Sequence, residues 1–478
     1  MWLRVCLGLS SILLLVIALT GCGGSGVGTA GPINGPFSNA SLSGSYAFSF
    51  TGVNQFGFLA VAGSFQANGS GMITGGTVDV NSQNGIFTNQ SVTGTYNVHN
   101  NGQATATLVA SAGTFDIDFV LVSNQHALII RFDNNSSASG TVDLQTSSAF
   151  SLAALAGSFA FNLSGIDAAT NTEASAGAFT VDSSGNITSG VQDTNDNGAV
   201  STNVALIPTA AAMSNPTNGR GTLTIPGSPT LHFAYYVVNA NQLKMVEIDL
   251  SPSLAGDAFR QTGTAISGSF AFTVGGVSTG GPFVAGGIIN TDGAGHVLGT
   301  SMEDVNNGGS ISQNVSLSGT YSVAANGRGT VSLNAGTINL AIYPTTSGVQ
   351  MLEIDNIVVA SGAALQQSGS FSNGTISGNY GINFTGVTVS NEIDSVGQFS
   401  ADGAGHVTGA VDFNNGGALS SNLSLSGSYS VSPNGRATGS LQSSLGAQNV
   451  ILYAVSNSRI LFIEIDSNLV AVGEMDHQ

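Results

Sequence analysis

Basic residues are almost missing from this sequence. Lys and Arg number 8 among 478 residues, against 26 Asp and Glu, for a formal charge of −18. No Lys/Arg stripe can form to meet phosphates, which excludes a nucleic-acid binder. Charged residues of both signs reach only 7%, where about 25% is usual. Coiled coils and long surface helices need abundant Glu, Lys and Arg, so they are excluded as well. Cysteine is as scarce: Cys6 and Cys22 are the only two. Whatever folds beyond Cys22 is held by its cores without disulfides. The single Trp is Trp2, and its absence from the rest of the chain weighs against sugar-binding platforms, where Trp is prominent.

What is present starts with an address. After Arg4 comes the apolar run Ile12 to Ala18, too short for a spanning helix and suited to a secretory signal. It ends in Leu19-Thr20-Gly21-Cys22, followed by Gly23-Gly24-Ser25-Gly26. These residues resemble the lipobox of bacterial lipoprotein precursors. The resemblance implies cleavage between Gly21 and Cys22, with diacylglycerol on the Cys22 sulfur. Several acyl chains then give stable membrane anchoring. It also implies a cell-envelope location, at the outer membrane or cell surface if the host is Gram-negative, because Gly23 stands where Asp would retain the protein inside. Residues 1–21 thus read as a signal peptide and 22–36 as a lipidated Gly-rich tether. Cleavage removes Arg4 alone among the charged residues, giving 7 − 26 = −19.

Beyond the tether the chain repeats itself. Leu42-Ser-Gly-Ser-Tyr-Ala-Phe-Ser-Phe50 returns near Leu155, Ile266 and Ile376, and each copy closes with a Gly five residues before a Gln: Gly140/Gln145, Gly256/Gln261, Gly362/Gln367 and Gly473/Gln478. Four β units follow, at 37–147, 148–262, 263–368 and 369–478. Every segment alternates apolar and polar residues, as half-buried strands do. The turns are short and rich in Gly, Asn and Asp, which accept the positive φ of tight hairpins. In the third copy this predicts eight strands, near 267–274, 283–290, 296–304, 317–324, 328–333, 337–343, 349–355 and 361–367. The expected fold is all-β, each unit an antiparallel up-and-down eight-stranded barrel that resembles the calycins in layout. An immunoglobulin-like sandwich is the alternative. Short joints predict a chain of closely spaced beads, with Ser, Thr, Asn and Gln on the outward faces.

Candidate chemistry is sparse. Gly276-Val277-Ser278-Thr279-Gly280 matches a nucleophile elbow but sits between two strands without the helix that motif requires. No catalytic residue is assigned and no enzyme is expected. Asp193-Thr-Asn195-Asp-Asn197-Gly198 matches the start of a calcium loop, yet Val204 stands where a bidentate Glu is needed. The related Asp79, Asp304 and Asp412, with the strand-end Asp133, Asp249, Asp355 and Asp466, form a weak calcium set if turn and strand-end carboxylates share one barrel rim. The six histidines are scattered and suggest no repeated metal site. Three copies carry Asp after the second strand and Arg after the fourth, whereas the first has Asn68 and Gln103. This predicts rim ion pairs Asp182–Arg220, Asp292–Arg328 and Asp402–Arg436. The functional expectation is a membrane-anchored lipoprotein with a structural, adhesive or display role. The alternative is a small-molecule or calcium-binding protein using barrel interiors or acidic loops.

Overall fold

The computed structural model describes residues 36–227, 229–263 and 266–478. The lipobox, with Gly21 and Cys22, and nearly all of the tether lie outside them. In the first unit, eight strands run β1 (Ser43–Asn54), β2 (Gly57–Asn68), β3 (Met72–Ser82), β4 (Gly85–Val98), β5 (Gln103–Ala110), β6 (Gly113–Leu121), β7 (His126–Arg131) and β8 (Ser136–Leu144). Each pairs antiparallel with the next, and β1 also pairs with β8, Tyr46 opposite Leu144, which closes a barrel. The third and fourth units repeat this closed meander. The sandwich alternative is not adopted. In the third unit the strands run longer than the apolar alternation suggests: the fourth spans Ser310–Val323 rather than starting near 317. No helix among the described residues is long and apolar enough to cross a membrane.

The second unit is an open eight-stranded sheet, unpaired between its fourth strand (Ala199–Ala205) and its fifth (Arg220–Ile225). The intervening segment contains Pro208 and Pro216, which have no N–H to offer a ladder. The segment instead drops Leu206, Ala212 and Met213 into the barrel core.

Alternation sends one face of each strand inward, and each unit has its own apolar core. The outward faces are not uniformly polar. On the first two strands of the first three units and the last three strands of every unit they are largely apolar, and four further clusters lie between units. The β1–β3 face of each unit packs against the sixth to eighth strands of the next, and the fourth unit packs the same way on the first. A head-to-tail contact whose rotation closes makes a ring. The expectation of beads on a chain is therefore corrected: three closed barrels and the open, barrel-like second unit form one closed ring, because their outward faces carry enough apolar surface to bury. The terminal Gln of each unit seats on its neighbour. Gln145 Nε2 donates to the Val237 carbonyl at 2.7 Å and Gln367 Nε2 to that of Ala454 at 2.7 Å. Gln478, the last residue, donates to Leu121 of the first unit at 2.8 Å.

Candidate functional sites at the joints, the seam and the third barrel

The Asp-x-Asn turns and the Glu-Ile-Asp strand ends are two halves of one joint. Opposite Asp79 alone, β4 inserts two residues, Thr88 and Asn89, as a bulge. Asn89 takes φ 53° and its N–H donates to Asp79 Oδ1 at 2.8 Å. The same bulge recurs at Asn203, Asn314 and Asn422, which cap Asp193, Asp304 and Asp412. Each capped carboxylate points at the next unit. Asp79 receives Arg220 through Nε and Nη2 at 2.7 Å each, and the Tyr236 hydroxyl donates to it as well. Asp193 receives Arg328 at 2.8 and 2.6 Å with Tyr343, and Asp304 receives Arg436 at 2.9 and 2.7 Å with Tyr453. All three carboxylates are fully buried. Bidentate pairing, a third donor and the bulge amide together satisfy a charge that burial would otherwise penalise.

The Asn of each motif completes the joint. Asn195 Nδ2 donates to the carbonyls of Glu353, Asp355 and Val358 at 2.9, 3.0 and 2.8 Å. Asn306 does the same to Glu464, Asp466 and Leu469, and Asn414 to Arg131, Asp133 and Ser136. Gly198 and Gly417 (φ 87° and 91°) lie against the backbones of Asn356 and Asn134 in the neighbouring units. Any side chain there would push the barrels apart.

These contacts correct the rim pairs. Arg220, Arg328 and Arg436 reach across to the preceding unit, not to Asp182, Asp292 and Asp402. The turn carboxylates are already engaged by their own turns. Asp182 Oδ1 accepts from the Ser184 and Asn186 amides, Asp292 from Ala294 and His296, and Asp402 from Ala404, Gly405 and His406. Such bonds lower the pKa of Asp182 and bring Asp292 and Asp402 down to about 2. The calcium set is corrected too. Asp79, Asp193 and Asp304 hold guanidinium groups, and the strand-end acids are engaged within their own units. Asp133 meets Arg131, Asp249 meets His232, and Asp355 and Asp466 meet Asn339 and Asn449. Turn and strand-end carboxylates thus bind different partners and do not converge on a cation. Ser278 of the elbow-like motif donates to Asn307 Oδ1 at 2.6 Å, a hairpin contact.

The seam between the fourth and first units departs from this pattern. Strand register places Gln103 and Val120 where the other units have Arg and Tyr. Among the described residues no cation pairs with Asp412 there, and Asp118 lies nearby, pushed up to about 7 by burial, Asp412 and Asp116. On the fourth-unit side, Glu392 and Asp394 occupy positions held by Phe58 and Ala60 in the first. They are 2% and 0% exposed. Asp394 accepts from Ser137 Oγ at 2.5 Å. Burial pushes Asp394 up to about 7 against hydrogen bonds from Ser137 and Thr385, and pushes Glu392 well above its ordinary value with the Asp394 charge adding to it. The apolar cluster here is just Val120, Leu128, Ile130 and Val396, with Val122 and Phe132 beside it.

Next to the seam runs a chain of alternating charges that sequence reasoning missed. Lys244, fully buried in the second unit, meets Asp143 of the first at 2.9 Å. Asp143 meets His126 Nδ1 at 2.7 Å, and His126 Nε2 lies 3.4 Å from Asp476 of the fourth unit. Arg459 closes the chain on Asp476 at 2.5 Å. Burial opposes the imidazolium, but Asp143 and Asp476 raise His126 to about 9. Lys244 and His126 hold Asp143, and Arg459 and His126 hold Asp476, well below the usual range against the same burial. His126, Glu474 and Asp476 come close enough to hold a metal ion. Arg459 already occupies the charge position a metal would take, so the set works as an ion-pair chain. His126–Asp143 and Arg459–Asp476 hold the same register in the first and fourth units, but only the ring closure brings these two pairs and Lys244 of the second unit together.

No family model matches this chain, and no curated protein matches it. Among solved structures it is similar to a transferrin-binding protein B mutant of Haemophilus parasuis, with 10% identity, 95% of this chain and 99% of that one covered, and a TM-score of 0.22. Transferrin-binding protein B of serogroup B Neisseria meningitidis gives 10% identity, 78% and 73% coverage, and a TM-score of 0.16. CghA gives 9%, 97% of both chains and 0.13. Scores this low bring neither ligand nor activity to this chain.

Proposed function

We propose that this protein is a bacterial lipoprotein, anchored at Cys22, whose barrel ring is a rigid, non-enzymatic platform for display or adhesion at the cell envelope. The observation that carries this reading is where the basic residues go. With Arg4 outside the described residues, 8 − 1 = 7 remain. Arg220, Arg328 and Arg436 pin joints, and Lys244, Arg459 and Arg131 are paired. Arg260 is bonded to the carbonyls of Ala154, Ala156 and Ala240. Every Lys and Arg among the described residues is thus engaged within the structure, Arg220, Arg328, Arg436 and Lys244 across joints and Arg131, Arg260 and Arg459 inside their own units. The outer wall, typified by β4 and by Ser310–Val323, alternates exposed Ser, Thr, Asn and Gln. Such a wall offers hydroxyls and amides to a neutral partner and nothing to an anionic polymer.

Labelling cells with a palmitate analogue tests the anchor. Wild type should take up label and partition with membranes, and Cys22→Ser should do neither. Membrane partition of unlabelled Cys22→Ser protein would overturn the anchoring. Loss of cell–surface attachment on deleting the ring, with the lipidated tether kept, is the expected adhesive phenotype.

A further inference from the structure

The interior of the third barrel holds a cavity of about 180 Å³, against about 20 Å³ in the first. Its cause is legible by comparing barrels. In the fourth, Phe384 packs edge-to-face on Phe413 and Phe462, with ring centroids 5.8 and 6.4 Å apart. Register and repeat put Val274, Val305 and Met351 at those positions in the third. In the first barrel Phe50 and Phe115 close the same level at 6.0 Å, where the third has Val274 and Ile338. Protein interiors are ordinarily filled to crystal-like density, so three smaller residues at one level leave real space. An apolar cavity of roughly 150 Å³ is enough for benzene.

The lining of this cavity is apolar except at one end, where Glu303, Glu353, Asp355 and Thr337 join it, and it contains no Lys, Arg or His. Glu303 is peculiar to this barrel: the residue before the joint Asp is Val78, Gln192 and Val411 in the others. Among the described residues no cation pairs with Glu303, Glu353 or Asp355. Asp355 is engaged by the Asn339 amide and side chain at 2.8 and 2.9 Å. Burial raises the Glu303 carboxyl to about 7, with Asp304 adding to it, and the Glu353 carboxyl to about 10, with Asp355 and Glu303 adding.

We propose that the third barrel binds a small organic cation, its apolar body the size of one aromatic ring in the cavity and its ammonium on Glu303 and Glu353. The apolar body would replace the ring that Phe413 supplies in the fourth barrel. The ammonium would supply the counter-charge that lets these two carboxyls, neutral while buried and unpaired, give up their protons to solvent and stand ionised. An anion of the same shape finds no Lys, Arg or His at that end to pair with, and a neutral isostere forgoes the ion pair.

Calorimetric titration of the full chain with benzylamine, benzyl alcohol and benzoate tests this. Benzylamine should bind with a dissociation constant of roughly 1 mM or tighter, benzyl alcohol at least about tenfold more weakly, and benzoate not at all. Glu303→Gln should weaken benzylamine about tenfold and leave benzyl alcohol unchanged. Val305→Phe, which copies the fourth barrel, should abolish binding while keeping or raising the melting temperature. If Val305→Phe fails to fold, Val274→Phe takes its place. Equal binding of benzyl alcohol and benzylamine, no binding of benzylamine at millimolar concentration, or undiminished binding in a folded Phe variant would each overturn the proposal.

Discussion

Arg328 lies between Asp193 and Tyr343, and its removal would leave a fully buried carboxylate with only a hydroxyl and an amide. Breaking a buried pair on one side costs about 3–5 kcal/mol. Arg328→Ala should therefore lower stability by that amount, read from denaturant unfolding followed by circular dichroism. Arg328→Lys should recover only part of it, because a point charge cannot supply the two parallel bonds that Nε and Nη2 make. An equal stability for wild type and Arg328→Ala would show that the joint does not depend on the pair. At this scale the sequence was half legible. The recurrence of Arg220, Arg328 and Arg436 marked them as structural, and the neutral Gln103 marked the first unit as different. Their partner was misjudged because the nearest carboxylate in the meander was assumed to be free. Asp182, Asp292 and Asp402 are instead tied up by their own turn amides, which no residue count reveals.

A single barrel has its own core, yet it also presents two apolar flanks that its neighbours cover. In the third unit one flank carries Ala271, Val284 and Ile288, and the other Ala341, Tyr343 and Leu352. An excised 263–368 fragment should give a β-type circular dichroism spectrum and a cooperative melt, since about 105 residues can bury a core. It should also self-associate head-to-tail, because the two flanks are copies of complementary faces. Sedimentation velocity should show concentration-dependent oligomers, and Val284→Asp should return them to monomer. A monomeric wild-type fragment would mean that the flanks hold together only through the chain connection. Alternation and turn residues made the strand number readable. They could not say which outward faces are wet, since Ala60, Ala174 and Val284 look like ordinary strand residues until a neighbour covers them.

For the whole molecule the seam between the fourth and first units is one of the places that pH addresses, beside the raised Glu247, Glu353 and Glu464 at the other joints. Asp118 and Asp394, at about 7, and Glu392, also raised, titrate well above their unfolded values near 4. A raised carboxyl favours the folded state when neutral. Its contribution is full below about pH 4 and is lost as pH rises through about 7. His126, raised to about 9, contributes below its unfolded value near 6.5 and loses that contribution as pH rises through 9. Asp143 and Asp476 act the other way, stabilising above about pH 4 and failing only in strong acid. The melting temperature should therefore be highest in mild acid and fall from pH 6 to 9. Hydrogen exchange should rise first in β6–β8 and in Glu392–Asp402. Asp394→Asn should flatten this slope, and a slope unchanged in that variant would place the titration elsewhere. Building the missing pair, with Gln103→Arg and Val120→Tyr opposite Asp412, should raise the melting temperature at pH 8 by a few degrees.

Composition and period by themselves determined the class of this protein. A chain with so little charge, so much Gly and an apolar residue at every second position can satisfy its backbone and bury its side chains only as short antiparallel strands. Repetition determined that it does so four times. What the tertiary structure alone decided is that the four units close on themselves, and what that closure does to each charged side chain. Asp79 and Arg220 lie 141 residues apart, and Gln478 meets Leu121 across 357. Such pairs depend on the angle between successive barrels, which is set by the summed packing of many small side chains and is written in no local pattern.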